Sequence, residues 1–169
     1  MSDEPTASYV RLMPEFVAAP LLARLKLTVA TAESCTGGLV GHRLTNVAGS
    51  SAYFWGGILS YDNSVKQDVL GVPKEVLMTV GAVSQECALA MADGTRRVIG
   101  THIGLSTTGI AGPGGGGPGK PVGLVYIALT AQDGFRRCER YVWEADRIAN
   151  KEQSAEAALR MLVEYLQRF

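Results

Sequence analysis

Apolar positions along this chain fall into short runs separated by glycine, proline and polar breaks, and the spacing within each run tells strand from helix. Tyr9 to Leu27 has a helical spacing in which Pro14 and Pro20 must start a turn or kink the helix. Leu27 to Thr31 is β-like, and Thr36 to Val47 is predicted as a helix with Leu39, Val40, Leu44 and Val47 on one side. Tyr53 to Tyr61, rich in aromatic and branched residues, reads as a strand. Two short helices follow, Asn63 to Leu70 and Lys74 to Val80, parted by Gly71 and Pro73. Ser84 is placed to cap a helix running to about Ile99, with Cys87, Met91 and Val98 on one stripe beside small Ala88 and Thr95. Ile103 to Thr107 reads as a buried strand, Gly109 to Pro121 as a loop and Val122 to Ala131 as another strand. Asp133-Gly134 is a hairpin signal that pairs Phe135 to Trp143 antiparallel with it, and Ala155, Leu159, Leu162 and Leu166 mark a closing amphipathic helix.

This alternation predicts an α/β fold: a three-layer α/β/α sandwich with a mixed, mostly parallel sheet of about five strands, finished by a hairpin and a helix. In such sheets ligands gather beyond the carboxyl ends of the strands. The strands ending before Ser34, Tyr61 and Gly109 are therefore expected to converge on one pocket. A single domain over residues 1–169 is expected, with a polar tail at 1–8.

Composition narrows the classes. The chain has 169 residues, 47% of them hydrophobic and 19% charged, enough for one globular domain with a full core. Sixteen basic residues balance sixteen acidic ones, so no net field favours nucleic acid or an anionic membrane as partner. A small molecule is the expected partner, and a homo-oligomer is left open. Cys35, Cys87 and Cys138 are odd in number and widely spaced, which speaks against a disulfide framework. Only His42 and His102 are present, too few for a histidine metal site. The first thirty residues show neither a signal sequence nor a membrane span, and a cytoplasmic location is expected.

The candidate chemistry centres on Thr31-Ala-Glu-Ser-Cys-Thr-Gly-Gly38, which follows an apolar run and opens a helical segment. Ser34 is then either a capping hydroxyl or a nucleophile, with the N–H groups around Thr36, Gly37 and Gly38 available to an anion. Glu33 is poorly placed as its base, since neighbours on a strand face opposite ways. Lys66 is the other candidate base, against the ordinary reading of a solvated amine. Acting near neutrality requires its pKa to fall by about three units from ~10.4, at a cost near ~4 kcal/mol. Asp62 must then point elsewhere. Tyr61 either relays a proton or packs in the core, and Cys35 should face the core if Ser34 faces the pocket. In the glycine-rich loop, Gly112, Gly114 and Gly117 match G-x-G-x-x-G, and Gly114 to Lys120 resembles a Walker start. Both labels fail because a strand follows rather than a helix. Main-chain N–H groups of that loop can still approach a ligand anion, or the loop is a plain connector. Arg136, Arg137 and Arg140 read as a solvated edge-strand face.

The order of several motifs is more specific: Glu33-Ser34-Cys35-Thr36-Gly37-Gly38, Gly49-Ser50-Ser51, Tyr61-Asp62-Asn63 with Lys66, Leu70-Gly71-Val72, Gly81-Ala82-Val83-Ser84, Thr108-Gly109-Ile110-Ala111-Gly112-Pro113 and Lys120-Pro121-Val122-Gly123. From about Leu25 to Leu166 the chain resembles the C-terminal domain family of competence/damage-inducible protein A, which includes stand-alone nicotinamide-nucleotide amidohydrolases. The resemblance implies hydrolysis of nicotinamide mononucleotide to nicotinate mononucleotide and ammonia without metal or organic cofactor, in bacterial pyridine-nucleotide salvage. It implies Ser34 as nucleophile, Lys66 as base and Tyr61 assisting, with Thr108 and Arg147 at the substrate, Arg147 at its phosphate; the loop glycines Gly112 and Gly114 are substrate-binding candidates through the loop's main-chain N–H groups. Gly117 and Ala145 depart from the family's usual Ser or Thr and Gly. A catalytically silent nucleotide-binding or regulatory module and an amidase for another carboxamide are the alternative readings.

Overall fold

The computed structural model describes residues 13–169; the tail expected at 1–8 and the start of the helix expected from Tyr9 lie outside them. Helix α1 spans Pro14–Leu25. Pro14 fits at its start because a first-turn residue needs no N–H partner, and Lys26 ends it in the left-handed region at φ 55°. Strand β1 (Val29–Glu33) leads to helix α2 (Leu39–Thr45), a one-turn 3-10 segment (Ser50–Ala52) and strand β2 (Phe54–Leu59). Helices α3 (Asn63–Asp68), α4 (Lys74–Thr79) and α5 (Gln85–Ile99) follow, then strands β3 (Ile103–Gly109), β4 (Leu124–Ala131) and β5 (Arg136–Val142), and helix α6 (Arg147–Leu166).

The five strands form one sheet in the order β2-β1-β3-β4-β5. Strand β1 is parallel to both β2 and β3, and β4 runs antiparallel to β3 and β5. Four strands thus point the same way, and β1, β2 and β3 bring their carboxyl ends to one edge. The three-layer expectation holds. On one face α1, α2 and α6 pack over Val29, Leu105, Ile127 and Leu129, with Leu22, Leu44, Leu159 and Leu162 fully buried. On the other, α5 and the α3–α4 segment cover Ala32 with Leu70, Val72, Cys87 and Met91.

Strand β3 shows why that second face packs so closely. Its alternate residues Gly104, Ser106 and Thr108 face α5 and the segment before it. The Ser106 hydroxyl donates to Ala88 O at 2.6 Å, and a Cβ at Gly104 would lie 2.0 Å from Ala92 O. Gly94 makes a second close approach, to the segment after α3, since a Cβ there would meet Leu70 O at 2.1 Å. Ser84 caps α5 as expected, its hydroxyl accepting from Cys87 N at 3.2 Å. The expected stripe differs at one position. Val98 is exposed because it lies one turn beyond Gly94, past the contact with Leu70, and Ala92 and Gly94 complete the buried face with the expected Ala88 and Thr95.

A missing methyl group at Gly104 therefore sets the distance of α5 from the sheet, and one at Gly94 its distance from the segment after α3. Gly104→Ala is expected to destabilise the fold by about 1–3 kcal/mol through overpacking, read as a shift in urea midpoint. An unchanged midpoint would contradict the close-approach account.

Candidate active site

Ser34 stands one residue past β1, and the sheet ladder fixes its main chain from both sides: Ser34 N donates to Thr107 O at 3.0 Å, and Ser60 N donates to Glu33 O at 2.9 Å. Strand alternation sends the two neighbouring side chains apart. Glu33 turns toward α2 and Ser34 toward α3. Glu33 is only 2% exposed, and its carboxylate accepts from Thr36 Oγ1 (2.6 Å), Gly38 N (3.0 Å), Val40 N (3.1 Å) and Gly41 N (2.8 Å). It caps α2 from outside the helix, where the N-cap residue, Gly38, offers no side chain.

This redraws the expected turn. The helix starts at Leu39 instead of Thr36, and residues 35–38 form a turn in which Gly37 and Gly38 take φ of 62° and 100°, accessible to glycine at little cost. Gly37 N donates to Ser34 O, Gly38 N to Glu33, and the Thr36 hydroxyl is buried between Glu33 and Thr107. The main-chain N–H groups of Gly37 and Gly38 and the Thr36 hydroxyl thus serve the turn itself. Among the described residues, the N–H groups of Cys35 and Thr36 have no oxygen acceptor. Cys35 packs its side chain into the core, where burial pushes the thiol up to about 12.

Lys66 comes from α3, whose cap is Asp62: its carboxylate accepts from Ser64 N at 2.8 Å and Ser64 Oγ at 2.6 Å and stays in solvent. The lysine is 1% exposed. Its Nζ lies 3.1 Å from Ser34 Oγ, 2.5 Å from Ser60 O and 3.2 Å from Tyr61 O. It takes part in none of the ion pairs among the described residues. Burial holds its pKa below the ordinary lysine value, against smaller upward pulls from Cys87, Asp62 and Cys35. A neutral amine has two N–H donors and one lone pair. As an ammonium, Nζ would donate to all three oxygens; as a neutral amine, it would spend its donors on the two carbonyls and keep the lone pair for the Ser34 hydroxyl proton.

The pair opens into a cleft of about 230 Å³ bounded by Ser34, Tyr61, Asn63, Lys66, Thr108 and Arg147, among others. The volume is below the ~300–1,000 Å³ of pockets that enclose a whole drug-sized ligand, so it suits one end of a longer molecule. Tyr61 is an exposed rim residue whose ring is not part of the core. Its hydroxyl accepts from Arg147 Nη2 at 2.9 Å, while Arg147 Nη1 donates to Gly112 O at 2.7 Å. The Thr108 hydroxyl donates to Ala82 O at 2.7 Å. Gly112 is buried and contributes that carbonyl, whereas Gly114 is exposed with open space around its Cα. Asn63, Ala82, Val83 and Ala111 also line the cleft, and sequence reasoning did not single them out. The motif strings around Asn63, Ala82-Val83 and Ala111 were the available signals.

Fold and site together define an α/β/α domain whose sheet edge sets a serine hydroxyl against a buried lysine amine. Residues 13–166 match the CinA C-terminal domain, and the chain belongs to that family. It is 49% identical over 156 residues to a protein of Desulforudis audaxviator that carries the provisional name competence-damage inducible protein, covering 92% of this chain and 38% of that one. A CinA-like protein of Salinibacter ruber is 52% identical over 132 residues, covering 78% and 32%. The chain thus spans about a third of the length of these relatives. The crystal structure of the competence/damage inducible protein CihA from Agrobacterium tumefaciens superposes with a TM-score of 0.86 at 41% identity, covering 91% of this chain and 95% of that one.

The depressed lysine pKa has a stability consequence. The unfolded chain binds the Lys66 proton more tightly than the folded chain, so wild-type stability rises with pH between the folded and unfolded pKa values. Lys66→Met removes that dependence. The Tm of the variant minus that of wild type should be largest on the acid side and shrink as pH climbs toward the ordinary lysine value. A difference constant with pH would contradict a buried, depressed amine.

Proposed function

We propose that this domain hydrolyses the carboxamide of nicotinamide mononucleotide to nicotinate mononucleotide and ammonia, with Ser34 as nucleophile and Lys66 as general base. The observation that carries the reading is the 3.1 Å separation of Lys66 Nζ from Ser34 Oγ, with the amine buried and without a carboxylate partner. Membership of the CinA family and the Ser34, Tyr61, Lys66, Thr108 and Arg147 motif positions support the same assignment.

In this mechanism neutral Lys66 takes the proton as Ser34 Oγ attacks the carboxamide carbon. Charge on the carboxamide oxygen is met by the N–H groups of Cys35 and Thr36, for which the turn supplies no oxygen acceptor. Collapse of the tetrahedral intermediate breaks the C–N bond, and Lys66 returns its proton to the departing ammonia. Water then attacks the acyl-enzyme with Lys66 again as base, giving the carboxylate and regenerating Ser34. Tyr61 and Arg147 hold the outer part of the ligand, Arg147 through the phosphate, and Thr108 contacts the ring end. The chemistry calls on no metal or organic cofactor.

Neither sequence departure from the family pattern disturbs this geometry. Gly117 pairs its N and O with Lys120 in a turn open to solvent, and Ala145 holds ordinary negative φ. Ammonia release from the mononucleotide tests the proposal. Ser34→Ala and Lys66→Ala should each lose at least about 10³-fold in kcat, given what single deletions cost in nucleophile–base pairs that act as a unit. Activity of Ser34→Ala within a few-fold of wild type would reject serine catalysis. Because the base works deprotonated, kcat/KM should rise with pH through the depressed Lys66 pKa and then level off. A profile lacking that amine limb would remove Lys66 from the role.

A further inference from the structure

One buried amide ties together the outer wall of the Ser34 cleft. Asn150, in the first turn of α6, is 1% exposed. Its Nδ2 donates to Ala111 O at 3.0 Å and to Ala145 O at 3.0 Å, and its Oδ1 accepts from Ala145 N at 3.2 Å. Its main-chain oxygen accepts from Ser154 Oγ at 2.7 Å, which in turn accepts from Trp143 Nε1 at 2.9 Å. The segment leaving β5, the start of α6 and the loop after β3 are thus joined through one residue.

Arg147 stands between these attachments. It projects from the turn that Asp146 caps through Ala149 N at 2.9 Å. Its guanidinium reaches Gly112 O, the carbonyl next to the Ala111 oxygen that Asn150 holds. Asn150 therefore fixes both ends of the Arg147 reach: the backbone it leaves and the loop it docks on. Arg147 makes none of the ion pairs among the described residues, so its charge faces the cleft uncompensated by a carboxylate.

We infer that Asn150 is a positioning residue that holds the Arg147 guanidinium at the distance from Ser34 needed to receive a ligand's phosphate. The inference rests on the reading above in which Arg147 meets that group. An aspartate at 150 keeps the shape but sets an oxygen against two carbonyls, and an alanine leaves three main-chain groups of the rim without partners. Either change releases the rim while Ser34 and Lys66, held by the sheet and α3, stay in place.

The test is a double-mutant cycle between Asn150→Asp and Arg147→Ala, with Asn150→Ala as a second variant. Binding of nicotinamide mononucleotide and of nicotinamide riboside, which lacks the phosphate, is measured by calorimetry in the Ser34→Ala background, where turnover is removed, and hydrogen exchange is followed over residues 109–117. Asn150→Asp should weaken the mononucleotide about tenfold and the riboside less than about twofold, with no further loss when Arg147 is already alanine. Exchange in the loop should rise in both single variants. Equal weakening of both ligands, additive losses in the double variant, or unchanged loop exchange would overturn the positioning role. A wild type that binds the mononucleotide and releases no ammonia would instead reject the amidase reading and leave this cycle intact. The loop exchange decides the role independently of any ligand.

Discussion

A lysine amine taken out of water without a carboxylate to neutralise it is the constraint around which this fold is arranged. Desolvation penalises only the charged form, so every neighbour of Lys66 either tolerates a neutral amine or would spoil it. The neighbours present tolerate it. Two main-chain carbonyls at the end of β2 accept its N–H groups, Asp62 is spent on capping α3, and the Ser34 hydroxyl fills the remaining direction. The sheet holds Ser34 and Ser60 by ladder bonds on both sides of β1, so the hydroxyl and the carbonyls meet the amine at fixed positions.

The sheet also separates charges. Glu33 and Ser34 are consecutive, yet the carboxylate lies on the α2 side and the hydroxyl on the α3 side. A register slip of one residue would exchange them and put a buried carboxylate beside Lys66, raising the amine's pKa. With Glu33 on the far face, the N–H groups that open α2 are satisfied internally, and the turn before it leaves only the Cys35 and Thr36 amides without an oxygen acceptor among the described residues. The outer wall is built differently, from side-chain bonds between loops, with Asn150 and Arg147 as its fixed points.

The strands and most helices were legible because their apolar periods are strong and their breaks carry glycine, proline or a capping serine. The convergence of Ser34, Tyr61 and Gly109 followed from parallel topology alone, and the turning away of Cys35 and Asp62 from alternation and capping. What local pattern could not reveal depends on contacts far apart in sequence. The late start of α2 comes from a carboxylate reaching forward from the preceding strand, and the burial of Thr36 comes from Thr107 on β3. Val98 fits the helical stripe and still meets solvent, because the length of the surface facing α5 is not written in α5. Nothing local in the sequence marks Asn150, since the fold is what brings Ala111 to it.

Serine–lysine chemistry here requires a lowered Lys66 pKa in the folded domain, which ¹⁵N NMR of the side-chain nitrogen across a pH titration reads without intermediaries. The expected midpoint lies clearly below the ~10.4 of a free lysine, with the Lys66 resonance assigned by its loss in Lys66→Met. A midpoint at or above that value would mean the amine stays charged where it is buried, and the serine–lysine chemistry would have to be given up.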